Sequence, residues 1–191
     1  MTNMDPIPIV ATPTWAQEAD RCLRRNLFNG TVLIAIKGEI LFCQGYGKAS
    51  ESETCSPQTA YRLMSISKQF TAAAILQLEE RGLLCVNDTI EKYNSTVGDL
   101  LLWDRALYSE RILKKDSIEK MYKPNPGSYG YGWSINPRNP SVVAHNGNGS
   151  GFSTFIYREM DTQTLLVVLS NVTRADAGKT GFDLLNVMAK S

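Results

Sequence analysis

Ser65 and Lys68 have the spacing of a nucleophile and its base, within Arg62-Leu-Met-Ser-Ile-Ser-Lys68. Residues three apart on a helix share a face, so an ammonium at position 68 can approach a hydroxyl at position 65. A serine hydroxyl is a weak nucleophile until a base takes its proton. Lysine ordinarily keeps its own proton to about pH 10, and burial can lower that by several units. A neutral Lys68 could then accept the proton of Ser65. A helix N-terminus at this point would add partial positive charge and free N–H groups where an oxyanion develops. The four letters alone also describe a serine that caps a helix ahead of a solvated lysine. Ser67 adjoins Lys68 in sequence and points to another helix face. The single histidine of the chain lies far downstream, in His145-Asn146-Gly147-Asn148. In isolation, that stretch reads as a turn.

The elements that must position these residues follow from periodicity. Residues 15–27 place Trp15, Ala19, Cys22, Leu23 and Leu27 at helical spacing with charges between, an amphipathic helix. Asn29-Gly30 breaks it. Residues 31–36 and 40–44 are β-branched or apolar around Lys37-Gly38-Glu39, which predicts a β-hairpin. Residues 48–58 are polar and read as a loop. Residues 67–81 form the strongest helical pattern, with Gly82 placed to stop it. A connector with an Asn87-Asp88 turn follows over 83–93, then helices over 98–108 and 115–122. Strand composition returns at 129–135, 142–145, 152–158 and 164–171, with a turn at 159–163, and a helix closes the chain over 175–189. Residues 1–13 hold three prolines and read as an extended lead-in. Strands at both ends with helices between predict one α+β domain over 1–191, an antiparallel β-sheet flanked by helices.

The run Ser-Lys-Gln-Phe-Thr-Ala-Ala-Ala-Ile-Leu-Gln-Leu-Glu-Glu-Arg-Gly-Leu-Leu, with Ser65 ahead of it, closely resembles the nucleophile helix of class C β-lactamase-like proteins. That penicillin-recognising family includes β-lactamases, D-alanyl-D-alanine carboxypeptidases and esterases, and Ser-x-x-Lys is among its signatures. The resemblance continues through Asn29-Gly-Thr-Val-Leu-Ile-Ala35, Gly45-Tyr-Gly-Lys-Ala49, the stretch from Asp99 to Ser109, Tyr129-Gly-Tyr-Gly-Trp-Ser134 and Val167-Val-Leu-Ser-Asn171. His145-Asn146-Gly147 stands where the family carries Lys-Thr-Gly or His-x-Gly. The resemblance implies a β-lactamase/transpeptidase-like fold, with Ser65 as nucleophile and Lys68 as base. It implies that His145 helps hold a substrate carboxylate or tunes the proton network. Gly147 would let the backbone approach the substrate, and the N–H groups of Ser65 and Asn148 would form the oxyanion hole beside Asn146. The family's third motif, Tyr-x-Asn, occurs nowhere in the chain. The segment after residue 94 runs almost directly into Thr96-Val-Gly-Asp-Leu100, so the helical subdomain that carries that motif is mostly deleted. The expected consequences are an open Ser65 and a reduced proton relay.

Composition narrows the partners. With 20 Lys plus Arg against 19 Asp plus Glu, the net charge is +1 and no basic block stands out, which argues against nucleic acid. No apolar run is long enough to span a bilayer. The start, Met-Thr-Asn-Met-Asp-Pro, lacks a basic, apolar leader, so the chain as it stands reads as cytoplasmic, or as periplasmic or secreted if a leader was removed. Four cysteines, at 22, 43, 55 and 85, match no zinc spacing and read as reduced thiols, and one histidine argues against a metal site. No cofactor is implied.

Two functional readings follow. The first is a serine hydrolase that forms an acyl-enzyme on a small ester, amide or β-lactam, with reduced activity. The second is a catalytically impaired binding protein on the same fold, its open face covered by a partner or by a second copy in a homo-oligomer.

Overall fold

The computed structural model describes residues 13–80, 94–110, 112–125, 127–149, 151–172 and 174–190. Its centre is a six-stranded antiparallel sheet in the order β2-β1-β8-β7-β6-β5. The hairpin β1 (Gly30–Ile36) and β2 (Glu39–Tyr46) forms one edge. Its two-residue turn, Lys37-Gly38, has positive φ at both positions (50° and 76°), the twist that matches right-handed strands. The other strands come from the last third of the chain as a meander: β5 (Ser134–Ile135), β6 (Val142–Gly149), β7 (Phe152–Glu159) and β8 (Thr164–Ser170). β8 then pairs back onto β1, with Val32 opposite Val168 and Leu33 opposite Val167.

Every residue of β8 is buried, because helices cover both faces of the sheet. Side chains alternate across a strand, so β1 and β8 split their apolar residues between two cores. Val32, Ile34, Leu166 and Val168 meet Ala19 and Leu23 of α1 (Thr14–Arg25) and Leu184 of α5 (Ala177–Met188). Leu33, Leu165 and Val167 face the other way, into a core with helices α2 (Lys68–Glu80), α3 (Val97–Ala106) and α4 (Lys115–Met121). Each large apolar side chain so buried contributes roughly 1.5–3 kcal/mol. α3 begins at a reciprocal cap. Thr96 Oγ1 accepts from the Asp99 N–H (3.2 Å), and the Asp99 carboxylate accepts from the Thr96 N–H (2.8 Å).

Two expectations need correction. Only Ser134–Ile135 of the strand expected over 129–135 pairs in the sheet. The preceding residues turn back on themselves, with the Gly130 N–H donating to the Trp133 carbonyl (2.8 Å). The helix expected from Ser67 is entered through a 3₁₀ turn, Met64–Ser67. A short pair not anticipated from the sequence, β3 (Tyr61–Arg62) with β4 (Asn94–Ser95), flanks that turn. β4 leads through Thr96 straight into α3, and only residues 81–93 separate it from α2. The fold is therefore a compact form without a large helical insertion there. The connector over 83–93, with its Asn87-Asp88 turn, Gly82 and Cys85, lies outside the described residues. Among those described, no helix is long and apolar enough to cross a membrane.

Candidate active site

The turn that carries Ser65 is fastened from three sides. Upstream, the Thr31 hydroxyl donates to the Ser56 carbonyl (3.0 Å), so the Tyr61 hydroxyl, 2.8 Å away, donates to Thr31. This anchors β3 to β1. Beneath the turn, the buried Thr154 of β7 places its hydroxyl 3.1 Å from the Leu63 carbonyl and 3.2 Å from the Gly147 carbonyl. One hydroxyl thus ties β7 and β6 to the residue before Met64. Met64 itself has φ +52°, a left-handed conformation that costs a non-glycine residue about 1–2 kcal/mol. Its side chain covers Gly149, where a Cβ would fall 1.6 Å from Met64 Cε. Gly147 meets the same turn, since a Cβ there would lie 2.5 Å from the Leu63 oxygen. Replacing Thr154 with valine keeps the shape and removes the tie. The expected cost is about 1–2 kcal/mol in urea unfolding, and an unchanged midpoint would show that the tie adds nothing to stability.

Lys68 Nζ lies 2.8 Å from Ser65 Oγ, so the three-residue spacing brings the pair into hydrogen-bond contact. Ser65 is half-buried and Lys68 is exposed. Lys68 therefore stands on the open side of the site. The physical reason is local: the chain passes from α2 to α3 with no helical subdomain to wall the lysine in.

β6 runs beside this turn, and strand alternation sorts its residues. Gly147 and Gly149 face the Ser65 turn, and His145 shares their face. Asn146 and Asn148 face the opposite layer. The Asn146 amide oxygen lies against Gly178 of α5, and Asn148 Oδ1 accepts from the Ser153 hydroxyl (3.0 Å). Only the main chain of these two residues is available on the Ser65 side.

His145 Nδ1 sits 2.7 Å from the Asn146 carbonyl, which can only accept, so Nδ1 carries the hydrogen. Burial holds the imidazole below the usual histidine value, and the nearby Lys68 charge acts in the same sense. The Asn146 carbonyl opposes both. His145 is thus neutral at pH 7, and its Nε2 is an acceptor. The Tyr129 hydroxyl, 2.7 Å away, donates to it. The two rings meet edge to face at 5.6 Å. Burial raises the Tyr129 phenol above its ordinary value, which keeps that proton in place.

In the sequence Tyr129 carries no signal beyond that of a strand-like stretch. It reaches the site because its segment is laid across the start of α2. Gly132, at φ +80°, packs so closely that a Cβ would come within 2.7 Å of the Gln69 backbone. Gln69 and Trp133 are fully buried there. Gln69 accepts from Trp103 Nε1 (3.3 Å), while Gln69 Nε2 and Trp133 Nε1 find no acceptor among the described residues. No spacing in the sequence signals these contacts, which join segments far apart in the chain.

A family model described as Beta-lactamase matches residues 16–102. Penicillin-binding protein 4* of Bacillus subtilis (strain 168) is 34% identical over 106 residues, covering 50% of this chain and 24% of that protein. Protein flp of Staphylococcus aureus (strain NCTC 8325 / PS 47) is 32% identical over 178 residues, covering 83% of this chain and 34% of that protein. The chain thus matches about a quarter to a third of the length of these curated relatives. Among solved structures, the octameric penicillin-binding protein homologue from Pyrococcus abyssi superimposes with a TM-score of 0.76 at 14% identity, over 93% of this chain and 77% of that one, a likeness of fold.

Proposed function

Because the chain belongs to the β-lactamase-like family of penicillin-binding proteins, we propose that it is a serine hydrolase acting through an acyl-enzyme at Ser65. The observation that carries this reading is the 2.8 Å contact between Lys68 Nζ and Ser65 Oγ at the start of α2. Lys68, once it has lost its own proton to solvent, takes the hydroxyl proton as Ser65 Oγ bonds to the substrate carbonyl carbon. The carbonyl oxygen gains negative charge facing the N–H groups of Ser65 and Asn148, beside the main chain of Asn146 and Gly147. The bond to the leaving group breaks, and Lys68 returns the proton to it. Water then releases the acid by the same steps in reverse order.

The substrate is a small ester or amide. The exposure of Lys68 and the absence of Tyr-x-Asn favour esters, whose leaving oxygen needs less help from an acid than an amide nitrogen. The same exposure supports a second reading, a catalytically impaired binding protein on this fold. A fluorophosphonate probe and a labelled penicillin separate the two. The proposed reaction predicts a mass increase located at Ser65 and its loss in Ser65→Ala. A folded protein that neither reagent labels at Ser65 overturns the hydrolase reading.

A further inference from the structure

Tyr129, 38% exposed, occupies the open side of the site and donates its hydroxyl to His145. Its backbone is pinned, which makes its hydroxyl a fixed feature. The Tyr129 carbonyl accepts from the Asn125 N–H (3.0 Å), and the next residue but one, Tyr131, donates its N–H to the Met121 carbonyl of α4 (3.0 Å). The phenol and the Asn146 carbonyl together occupy both ring nitrogens of His145. An imidazole in that state has no hydrogen left for an incoming anion.

We propose that Tyr129 is a positioning and specificity residue: the Asn146 carbonyl fixes a hydrogen on His145 Nδ1, and Tyr129, by donating to Nε2, occupies the other nitrogen and keeps a hydrogen off it, so the site accepts neutral esters and turns away substrates bearing a carboxylate at His145. This rests on the hydrolase reading and names its substrate class. It also revises the role that resemblance assigned to His145, that of gripping a substrate carboxylate. A carboxylate set beside His145 would find no donor on the ring. It would also lie close to Lys68, the group that must take a proton from Ser65. Among the described residues, the groups facing His145 are Lys68 from α2, Tyr129 from the segment before β5, and the apolar Ile156 opposite it on β7. None of them gives the ring a hydrogen to offer, and a carboxylate that took the remaining N–H groups of the Lys68 ammonium would engage the group that must serve Ser65.

The test uses Tyr129→Phe, a change at a partly exposed ring that removes only the hydroxyl. The first readout is nitrogen-15 NMR of the imidazole, unambiguous because His145 is the one histidine in the chain. The wild type is expected to show Nδ1 protonated and Nε2 bare. In Tyr129→Phe the Nδ1 hydrogen should stay engaged with the Asn146 carbonyl and the titration midpoint should rise, because a donor to Nε2 favours the neutral ring and has been removed, so Nε2 gains its hydrogen at a higher pH than in the wild type. The second readout is kcat/KM for 3-carbamoylphenyl phenylacetate against 3-carboxyphenyl phenylacetate, two esters alike in size. The wild type should favour the neutral ester by about tenfold or more, and Tyr129→Phe should lose most of that preference. The third is titration with 3-hydroxybenzoate followed at the His145 ring, which needs no turnover: the variant should respond and the wild type should not. A wild-type ring protonated at Nε2, or a variant with an unchanged titration midpoint and unchanged anion response, overturns the assignment. If neither ester acylates Ser65, the hydrolase reading fails, and the two NMR readouts still decide the role of Tyr129.

Discussion

Lys68→Ala is expected to slow acylation of Ser65 by about 10²–10⁴-fold, the range that a positioned acid–base group supplies. The expectation follows from the 2.8 Å contact between the two side chains, which is short enough for direct proton transfer. Because Lys68 is exposed, its removal leaves no cavity and strands no buried partner. Unfolding in urea should therefore shift by no more than about 0.5 kcal/mol. The pairing of a large kinetic effect with a small thermodynamic one distinguishes a base from a structural lysine. Rates of labelling by a fluorophosphonate, measured for wild type and variant at one pH, give the comparison. Equal rates would remove Lys68 from the mechanism.

Asp104→Ala is expected to cost about 3–5 kcal/mol of stability, the usual penalty for breaking a buried ion pair from one side. Asp104 on α3 and Arg158 on β7 are 3% and 1% exposed, and Arg158 Nε donates to the Asp104 carboxylate at 2.5 Å. The guanidinium has further partners, the Tyr122 hydroxyl and the ring faces of Tyr108 and Trp133, at 4.8 and 5.7 Å from its centre. These hold the charge in place and do not neutralise it. Losing the carboxylate therefore leaves a cation with no counter-charge inside the fold. Adding Arg158→Met to Asp104→Ala removes the stranded charge and should recover much of the loss. The comparison is made by urea unfolding of the two single variants and the double. A single-variant cost under about 1 kcal/mol would mean that water reaches the pair and screens it. The consequence for the site is indirect: the pair joins α3 to β7, the strand whose Thr154 supports the turn before Ser65.

Much of the architecture was legible in one dimension because its causes are local. The Lys37-Gly38 turn, the amphipathic pattern of α1 and the strand composition of the last third each act within a few residues. Residues 129–133 misled because composition reports β-propensity alone. Two glycines there meet the Met121 carbonyl and the Gln69 backbone too closely for a regular strand. The exposure of Lys68 accords with the open site expected from the missing insertion, because a lysine's environment depends on what other segments cover it.

The candidate site divides along the same line. The sequence by itself determined that Ser65 and Lys68 can meet, because a three-residue step along a helical turn places two side chains on one face. It placed the one histidine at the end of a strand expected over 142–145, ahead of a Gly- and Asn-rich stretch that reads as a turn; the structure carries the strand on to Gly149. Tertiary structure alone decided what that histidine touches. Strand register turned His145 toward the Ser65 turn, and the packing of Gly132 on α2 brought Tyr129 to its ring. Thr154 reached the Leu63 carbonyl across a separation of 91 residues. Contacts between elements depend on register and close packing, which residue spacing within one element does not encode.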